Sequence, residues 1–265
     1  MMIPYLQAML MGAVEAMTEF LPVSSTGHLI LLGHILGFDG PQGRVFEVAI
    51  QLGAILAVCV LYFKKLSHVV LTLHSDPASR HFAIVSIIAF IPAVIAGFLF
   101  HDVIKSLYSP VVVCIALVIG GLAILAIERW KPAPVIDAVE DMPYKTALFV
   151  GLAQMLALVP GVSRSGATIM GALLCRIGRK TAAEFSFFQA IPLMLGAVAF
   201  DLYKNRDHLS GDDMGLIAVG FMTAFIVALF VVRWMINFVT RYGFSPFAWY
   251  RIVLGIVGLL AVYLV

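Results

Sequence analysis

The sequence predicts an all-α integral membrane protein with about six transmembrane helices and two re-entrant helical hairpins, arranged as an inverted-topology repeat. Three observations support this fold class: a strongly apolar composition, six long apolar runs, and two further apolar stretches that polar residues interrupt. We expect the whole chain, residues 1–265, to form a single membrane domain.

The composition places most of the chain in lipid. Of its 265 residues, 62% are hydrophobic and 12% are charged, whereas a soluble domain carries about 25% charged residues. The net charge of +2 gives no indication of a nucleic-acid partner. The three cysteines lie within or at the end of apolar runs, which argues against a disulfide framework and against a zinc site.

The long apolar runs predict the membrane-spanning helices. Such a helix needs about 20 mostly apolar residues. The runs that reach or approach this length are 46–63, 82–100, 109–128, 182–203, 215–236 and 246–265.

Two interrupted apolar stretches predict the hairpins. Residues 3–36 are broken after Pro22, and residues 146–175 are broken at Pro160-Gly161. Each break leaves two arms of about a dozen residues, which is too short to span a bilayer. Irregular polar backbone at membrane depth is tolerated only where protein or a water-filled cavity surrounds it. We therefore expect both breaks inside the helix bundle.

Basic residues predict the orientation. One set of loops holds eleven of them and the other set holds four, Arg44, Lys105, Lys204 and Arg206. The positive-inside rule places the richer set in the cytoplasm. Both termini then face outward, the first hairpin enters from outside and the second enters from the cytoplasm.

The two halves of the chain correspond at a fixed offset. The halves are 1–130 and 146–265, joined by a polar cytoplasmic linker at 131–145. One hairpin and three spans in each half require the second half to be inverted, and inverted repeats place their ligand site where the broken helices meet. Adding 139 relates Gly12, Glu15, Ser24, Ser25, Thr26 and Gly27 to Gly151, Gln154, Ser163, Arg164, Ser165 and Gly166.

The first break carries carboxylates, hydroxyls and an imidazole. Glu15 and Glu19 are four residues apart and share a helix face, where buried carboxylates must pair, bind a cation or become neutral. This arrangement suits a divalent cation or a general acid–base role. Ser25 and His28 have the residue types used in nucleophilic catalysis. Backbone N–H groups at the helix start that follows can bind an anion, together with Ser24, Thr26 and Gly27.

The second break complements the first with a cation. Arg164 lies at bilayer depth, where a charged residue is costly and indicates a function. Its guanidinium matches phosphate oxygens, although a purely structural pair with Glu15 or Glu19 is the alternative. Further candidates for phosphate contact are Ser163, Ser165, Gly166 and Thr168.

Three polar residues in or near the spans receive lesser roles. Arg251 is interpreted as an anchor that snorkels toward the cytoplasmic interface. Gln51 and Gln189 are expected to bond backbone within the bundle.

The chain resembles the bacterial undecaprenyl-pyrophosphate phosphatases of the bacitracin-resistance family. The resemblance rests on E-x-x-x-E at Glu15–Glu19, on FLPVSSTGH after it, and on P-G-x-S-R-S-x-x-T at Pro160–Thr168. It covers nearly the whole chain. It implies an enzyme of the bacterial inner membrane that hydrolyses undecaprenyl pyrophosphate at the periplasmic side, recycles the lipid carrier for cell-wall synthesis and confers bacitracin resistance.

The resemblance also implies site roles. It places Glu15, Glu19, Ser25, His28 and Arg164 at the catalytic centre, and a divalent cation, Mg²⁺ or Ca²⁺, at Glu15 and Glu19. The nucleophile stays open between Ser25 and an activated water, and the Ser25 proton between His28 and a glutamate.

A different class of function is also compatible with the sequence. Inverted repeats with broken helices are typical of transporters, so a lipid-phosphate flippase or an ion-coupled transporter is the alternative. Expected partners are the polyprenyl pyrophosphate lipid and membrane lipids, with a homodimer as one possible assembly.

Overall fold

The protein is an all-α membrane protein. The computed structural model describes residues 2–38, 45–205 and 214–264. Arg44 and Arg206, which enter the charge count, and the terminal residues 1 and 265 lie outside the described residues. The described part contains no β-strand, only an isolated bridge between Ile136 and Ile177.

The first half forms the helices α1 to α7. Their bounds are α1 (Met2–Glu19), α2 (Ser25–Leu36), α3 (Val45–Leu61), α4 (Phe63–Thr72), α5 (Pro77–Leu99), α6 (His101–Ser106) and α7 (Pro110–Trp130). Helices α5 and α7 begin at well-marked positions, because Asp76 and Ser109 cap their free N–H groups and a proline follows each cap.

The second half forms α8 to α12. Their bounds are α8 (Tyr144–Met155), α9 (Arg164–Leu174), α10 (Arg179–Asn205), α11 (Met214–Tyr242) and α12 (Ser245–Leu264). The linker before α8 is packed rather than free: Gly178 donates to the Ile136 carbonyl, and Val139 and Met142 are buried.

The helices match the six apolar runs. Among the described helices, α5, α7, α11 and α12 are long and apolar enough to cross a bilayer, and α3 with α4 counts as a fifth span that is bent by 75°. The run 182–203 lies within α10. The first arm of the first hairpin is longer than the predicted dozen residues, because α1 continues for 18 residues.

The first helix of each half packs against a helix of the other half. Helix α1 packs along α11, and α8, which corresponds to α1, packs along α5, which corresponds to α11. Both contacts centre on a glycine at the matching position: a Cβ at Gly12 would lie 2.3 Å from the Gly220 oxygen, and one at Gly151 would lie 2.5 Å from the Ala89 oxygen. Small residues allow such close approach of membrane helices. An inverted repeat predicts this exchange of partners.

Candidate functional site

The two breaks adopt the same unusual backbone conformation. Ser24 and Ser163, which correspond at the offset of 139, have φ angles of 71° and 78°, in the left-handed region that residues other than glycine rarely adopt. Each serine directly precedes a helix, and Ser163 Oγ accepts a hydrogen bond of 3.1 Å from the Gly166 N–H. Strain of this kind persists only where the surrounding structure imposes it, and it clusters at functional sites.

A chain of polar contacts joins the two breaks. Ser25 Oγ donates a hydrogen bond to Glu19 Oε2. The other oxygen of the same carboxylate accepts from Arg164 Nη2 at 2.9 Å. The structure therefore contains the buried Arg–Glu pair that the sequence left open, with Glu19 rather than Glu15 as its partner.

Helix α10 fixes the Arg164 guanidinium from the other side. Arg164 Nη1 lies 2.6 Å from the Ser186 carbonyl oxygen and 3.1 Å from Ser186 Oγ. The Nε–H group of Arg164 is buried and has no hydrogen-bond partner within the described residues. A buried donor without a partner is costly, so the position of this guanidinium calls for an explanation.

A cavity of about 220 Å³ opens beside this chain. It is smaller than the pockets of about 300–1,000 Å³ that hold drug-sized ligands, so it suits a compact headgroup. Sequence reasoning missed Tyr108 and gave Gln51 only a structural role, although both lie in its wall. The site residues in its lining are Glu19, Ser24, Ser25, Thr26, Ser163 and Arg164.

Glu15 lacks the contacts to a serine and an arginine that Glu19 makes. It is fully buried, and neither of its carboxylate oxygens has a hydrogen-bond partner within the described residues. It lies one helical turn before Glu19 and does not line the cavity. Hard divalent cations prefer oxygen ligands, and an orphaned buried carboxylate next to a second carboxylate fits such an ion. The described residues contain no group of three His, Cys, Asp or Glu side chains around one point.

The ring nitrogens of His28 contact Ser24 and Tyr250 rather than Ser25. Its Nε2 lies 2.6 Å from the Tyr250 hydroxyl and its Nδ1 lies 2.8 Å from the Ser24 carbonyl oxygen, while the two rings stack. The structure thus brings Glu19, and not His28, to the Ser25 hydroxyl. Tyr250 was missed because nothing near it in the sequence links it to the first hairpin.

The remaining hydroxyls of the second break support the turns. Ser165 and Thr168 are fully buried and do not line the cavity. Ser165 Oγ donates to the Leu21 carbonyl at 2.7 Å, which ties the second hairpin to the first. Thr168 Oγ1 lies 3.0 Å from Gln154 Oε1. Gly27 and Gly166 also do not line the cavity.

Arg251 does not snorkel to an interface. It is 1% exposed, and its guanidinium donates to backbone carbonyls of both breaks and of α7. The interpretation as a surface anchor was wrong because these acceptors carry no sequence signal. The accepting carbonyls belong to Pro22, Gly161, Val162, Ala116 and Leu117.

Comparison with known proteins gives one consistent result. Residues 8–257 match the family described as "Bacitracin resistance protein BacA". A protein of Caulobacter vibrioides named undecaprenyl-diphosphatase is 53% identical over 262 residues, which cover 98% of each chain. Proteins of the same name from Phenylobacterium zucineum and Acinetobacter baumannii are 54% and 55% identical, and the aligned regions cover 96% and 97% of this chain and 96% and 95% of theirs.

Proposed function

The chain belongs to the bacitracin resistance protein BacA family, and we propose that it hydrolyses undecaprenyl pyrophosphate to undecaprenyl phosphate and inorganic phosphate. The name shared by its relatives supplies the substrate. The observation that carries the proposal is the Ser25–Glu19–Arg164 chain in the wall of a compact cavity.

The geometry favours Ser25 as the nucleophile. Its Oγ already donates to Glu19, so this carboxylate can accept the hydroxyl proton as Oγ bonds to the terminal phosphorus. The phosphoric anhydride bond breaks, and its electron pair leaves with undecaprenyl phosphate. Water then cleaves the serine phosphate, releasing inorganic phosphate and restoring the Ser25 hydroxyl.

Arg164 provides positive charge for the phosphoryl oxygens. Phosphoryl transfer requires a cation near the equatorial oxygens of the phosphorus. Arg164 lines the cavity, and its contacts with Glu19 and Ser186 hold the guanidinium in place there. Ser163 and Thr26 border the same cavity and can contact the remaining oxygens.

We propose that a divalent cation, Mg²⁺ or Ca²⁺, binds at Glu15 and Glu19. The support is that neither carboxylate oxygen of Glu15 has a hydrogen-bond partner within the part of the chain that the structure describes. When bound, such an ion neutralises charge on the pyrophosphate.

We place the enzyme in the bacterial inner membrane with its cavity facing the periplasm. The support is the excess of Lys and Arg in the opposite loops. Hydrolysis there recycles the lipid carrier for cell-wall synthesis and accounts for bacitracin resistance, since removal of the terminal phosphate destroys the pyrophosphate that bacitracin traps. A homodimer remains a prediction.

The alternative is a flippase or an ion-coupled transporter that uses the same site. The exchange of helix partners between the halves favours it, because alternating-access transporters share this architecture. Binding and transport of a lipid phosphate do not require a serine hydroxyl that donates to a carboxylate, as Ser25 does to Glu19. Hydrolysis is therefore the better-supported function.

The test is phosphate release from a C55 polyprenyl pyrophosphate in detergent, with and without EDTA. We expect cation-dependent release by the wild-type protein and its loss in Arg164→Ala and Glu19→Ala. Arg241→Ala, which removes an exposed arginine near the end of α11, is the matched control and should behave as wild type. No release from folded wild-type protein with added cation would contradict the proposal and lead to a lipid-flipping assay in liposomes.

A further inference from the structure

A single buried arginine holds both re-entrant turns from behind the cavity. Arg251 Nη1 donates to the Pro22 carbonyl of the first break and to the Val162 carbonyl of the second, each at 2.9 Å. Its Nη2 donates to the Gly161 carbonyl at 3.0 Å and to the Ala116 carbonyl of α7 at 3.1 Å. One guanidinium therefore fixes the relative position of the segments that carry Ser25 and Arg164.

The charge of Arg251 is satisfied by backbone alone. No carboxylate pairs with it in the part of the chain that the structure describes. Burying a charge is costly unless every donor is satisfied. An apolar side chain of the same volume would leave the Pro22, Gly161 and Val162 carbonyls without this donor, so the arginine meets a need of the two turns that packing alone does not.

The fold leaves room for this guanidinium at one glycine of α7. A Cβ at Gly120 would lie 2.0 Å from Arg251 Nη2 and 2.7 Å from its Cζ. Any larger residue at position 120 must displace the guanidinium. Gly120 therefore offers a way to move Arg251 without mutating it.

The contacts also set the direction of a peptide unit in the cavity wall. In a trans peptide the C=O and the next N–H point in opposite directions. The Val162 carbonyl points at Arg251, so the N–H of Ser163, a cavity residue, points away from Arg251.

The residue before Arg251 also contacts a hairpin. The Tyr250 hydroxyl lies 2.6 Å from Nε2 of His28 in the first hairpin, so two consecutive residues of α12 contact the tips of both hairpins.

We propose that Arg251 is a positioning residue for the reaction. By holding the backbone of both turns, it fixes the position of the Ser25 hydroxyl relative to the Arg164 guanidinium. The inference rests on the proposed phosphatase function. It predicts that loss of the Arg251 contacts lowers kcat much more than it raises KM, because misaligned reacting groups still bind the headgroup.

The experiment compares Arg251→Met, Arg251→Lys and Gly120→Ala with the wild type by steady-state phosphate release per folded, monodisperse protein in detergent. For Arg251→Met we expect kcat to fall about 100-fold, the effect of misplacing reacting groups by about 1 Å, with KM changed by less than about threefold. Arg251→Lys should recover part of kcat, because an ammonium retains three donors but lacks the planar fork. Arg233→Met, which changes an exposed arginine of α11, is the matched control.

A double variant tests whether Gly120→Ala lowers kcat through Arg251 or through a separate disturbance of α7. If Gly120→Ala acts by displacing the guanidinium, then Gly120→Ala/Arg251→Met should be no slower than Arg251→Met alone. Wild-type kcat per folded molecule in Arg251→Met would overturn the proposal. If that variant does not fold, wild-type kcat in both Gly120→Ala and Arg251→Lys would overturn it. An inactive wild type would instead contradict the proposed function.

Discussion

The two re-entrant turns share a backbone but differ in chemistry. Both place a serine in the left-handed region directly before a short helix. At the next position, the first turn has Ser25 and the second has Arg164. The first turn thus supplies a hydroxyl that is hydrogen-bonded to a carboxylate, and the second supplies a guanidinium. The comparison teaches that the repeated backbone sets where groups lie, while side chains at matching positions divide the chemistry between them.

The largest expected effect distinguishes a reacting hydroxyl from a supporting one. Ser25→Ala should lower phosphate release by about 1,000-fold or more, because it removes the proposed nucleophile. Ser165→Ala in the other turn should lower it less than about tenfold, and should lower the apparent Tm because a hydrogen bond to the Leu21 carbonyl is lost. Phosphate release and thermal unfolding in detergent measure both effects. Normal turnover in Ser25→Ala would favour direct attack by water.

A smaller effect is expected from the matching pair Glu15 and Gln154. Glu15→Gln should lower phosphate release about 100-fold at low cation concentration and raise the cation concentration needed for half-maximal rate, because a carboxylate ligand is lost. Gln154→Leu is the comparison in the second half and should leave that concentration unchanged, since its amide contacts Thr168 and neither residue lines the cavity. Titration of Mg²⁺ and Ca²⁺ into EDTA-treated protein measures both. An unchanged cation dependence in Glu15→Gln would remove Glu15 from the cation site.

The smallest expected effect concerns the strained serines themselves. Ser24→Gly should raise the apparent Tm slightly, because glycine adopts positive φ without the cost of about 1 kcal/mol or more that strain imposes on serine. Ser163→Gly should give less gain, because it also removes the cap on the Gly166 N–H. Thermal unfolding of the two variants side by side tests the order. A lower Tm for Ser24→Gly would show that the Ser24 side chain stabilises its turn.

The sequence predicted the helical membrane fold and both breaks, because each leaves a local signal, while it left the partner of Arg164 open between Glu15 and Glu19. Costly charges in apolar runs, together with Pro, Gly and Ser at the interruptions, identify those positions. The contacts of Arg251 and Tyr250 left no such signal. Arg251 contacts backbone carbonyls, which every residue has, and Tyr250 contacts a histidine more than 200 positions away. The spacing of Ser25 and His28 suggested a pair, but the first turn directs Ser25 to Glu19 instead.

The exchange of helix partners has a consequence for how the chain can be divided. Helix α1 lies in the first half by sequence but packs along α11 of the second, and α8 does the reverse with α5. The helix faces around Gly12 and Gly151 are each covered by a helix of the other half. The two halves therefore interlock, and we expect a chain cut within 131–145 to stay assembled through the contacts of α1 with α11 and of α8 with α5.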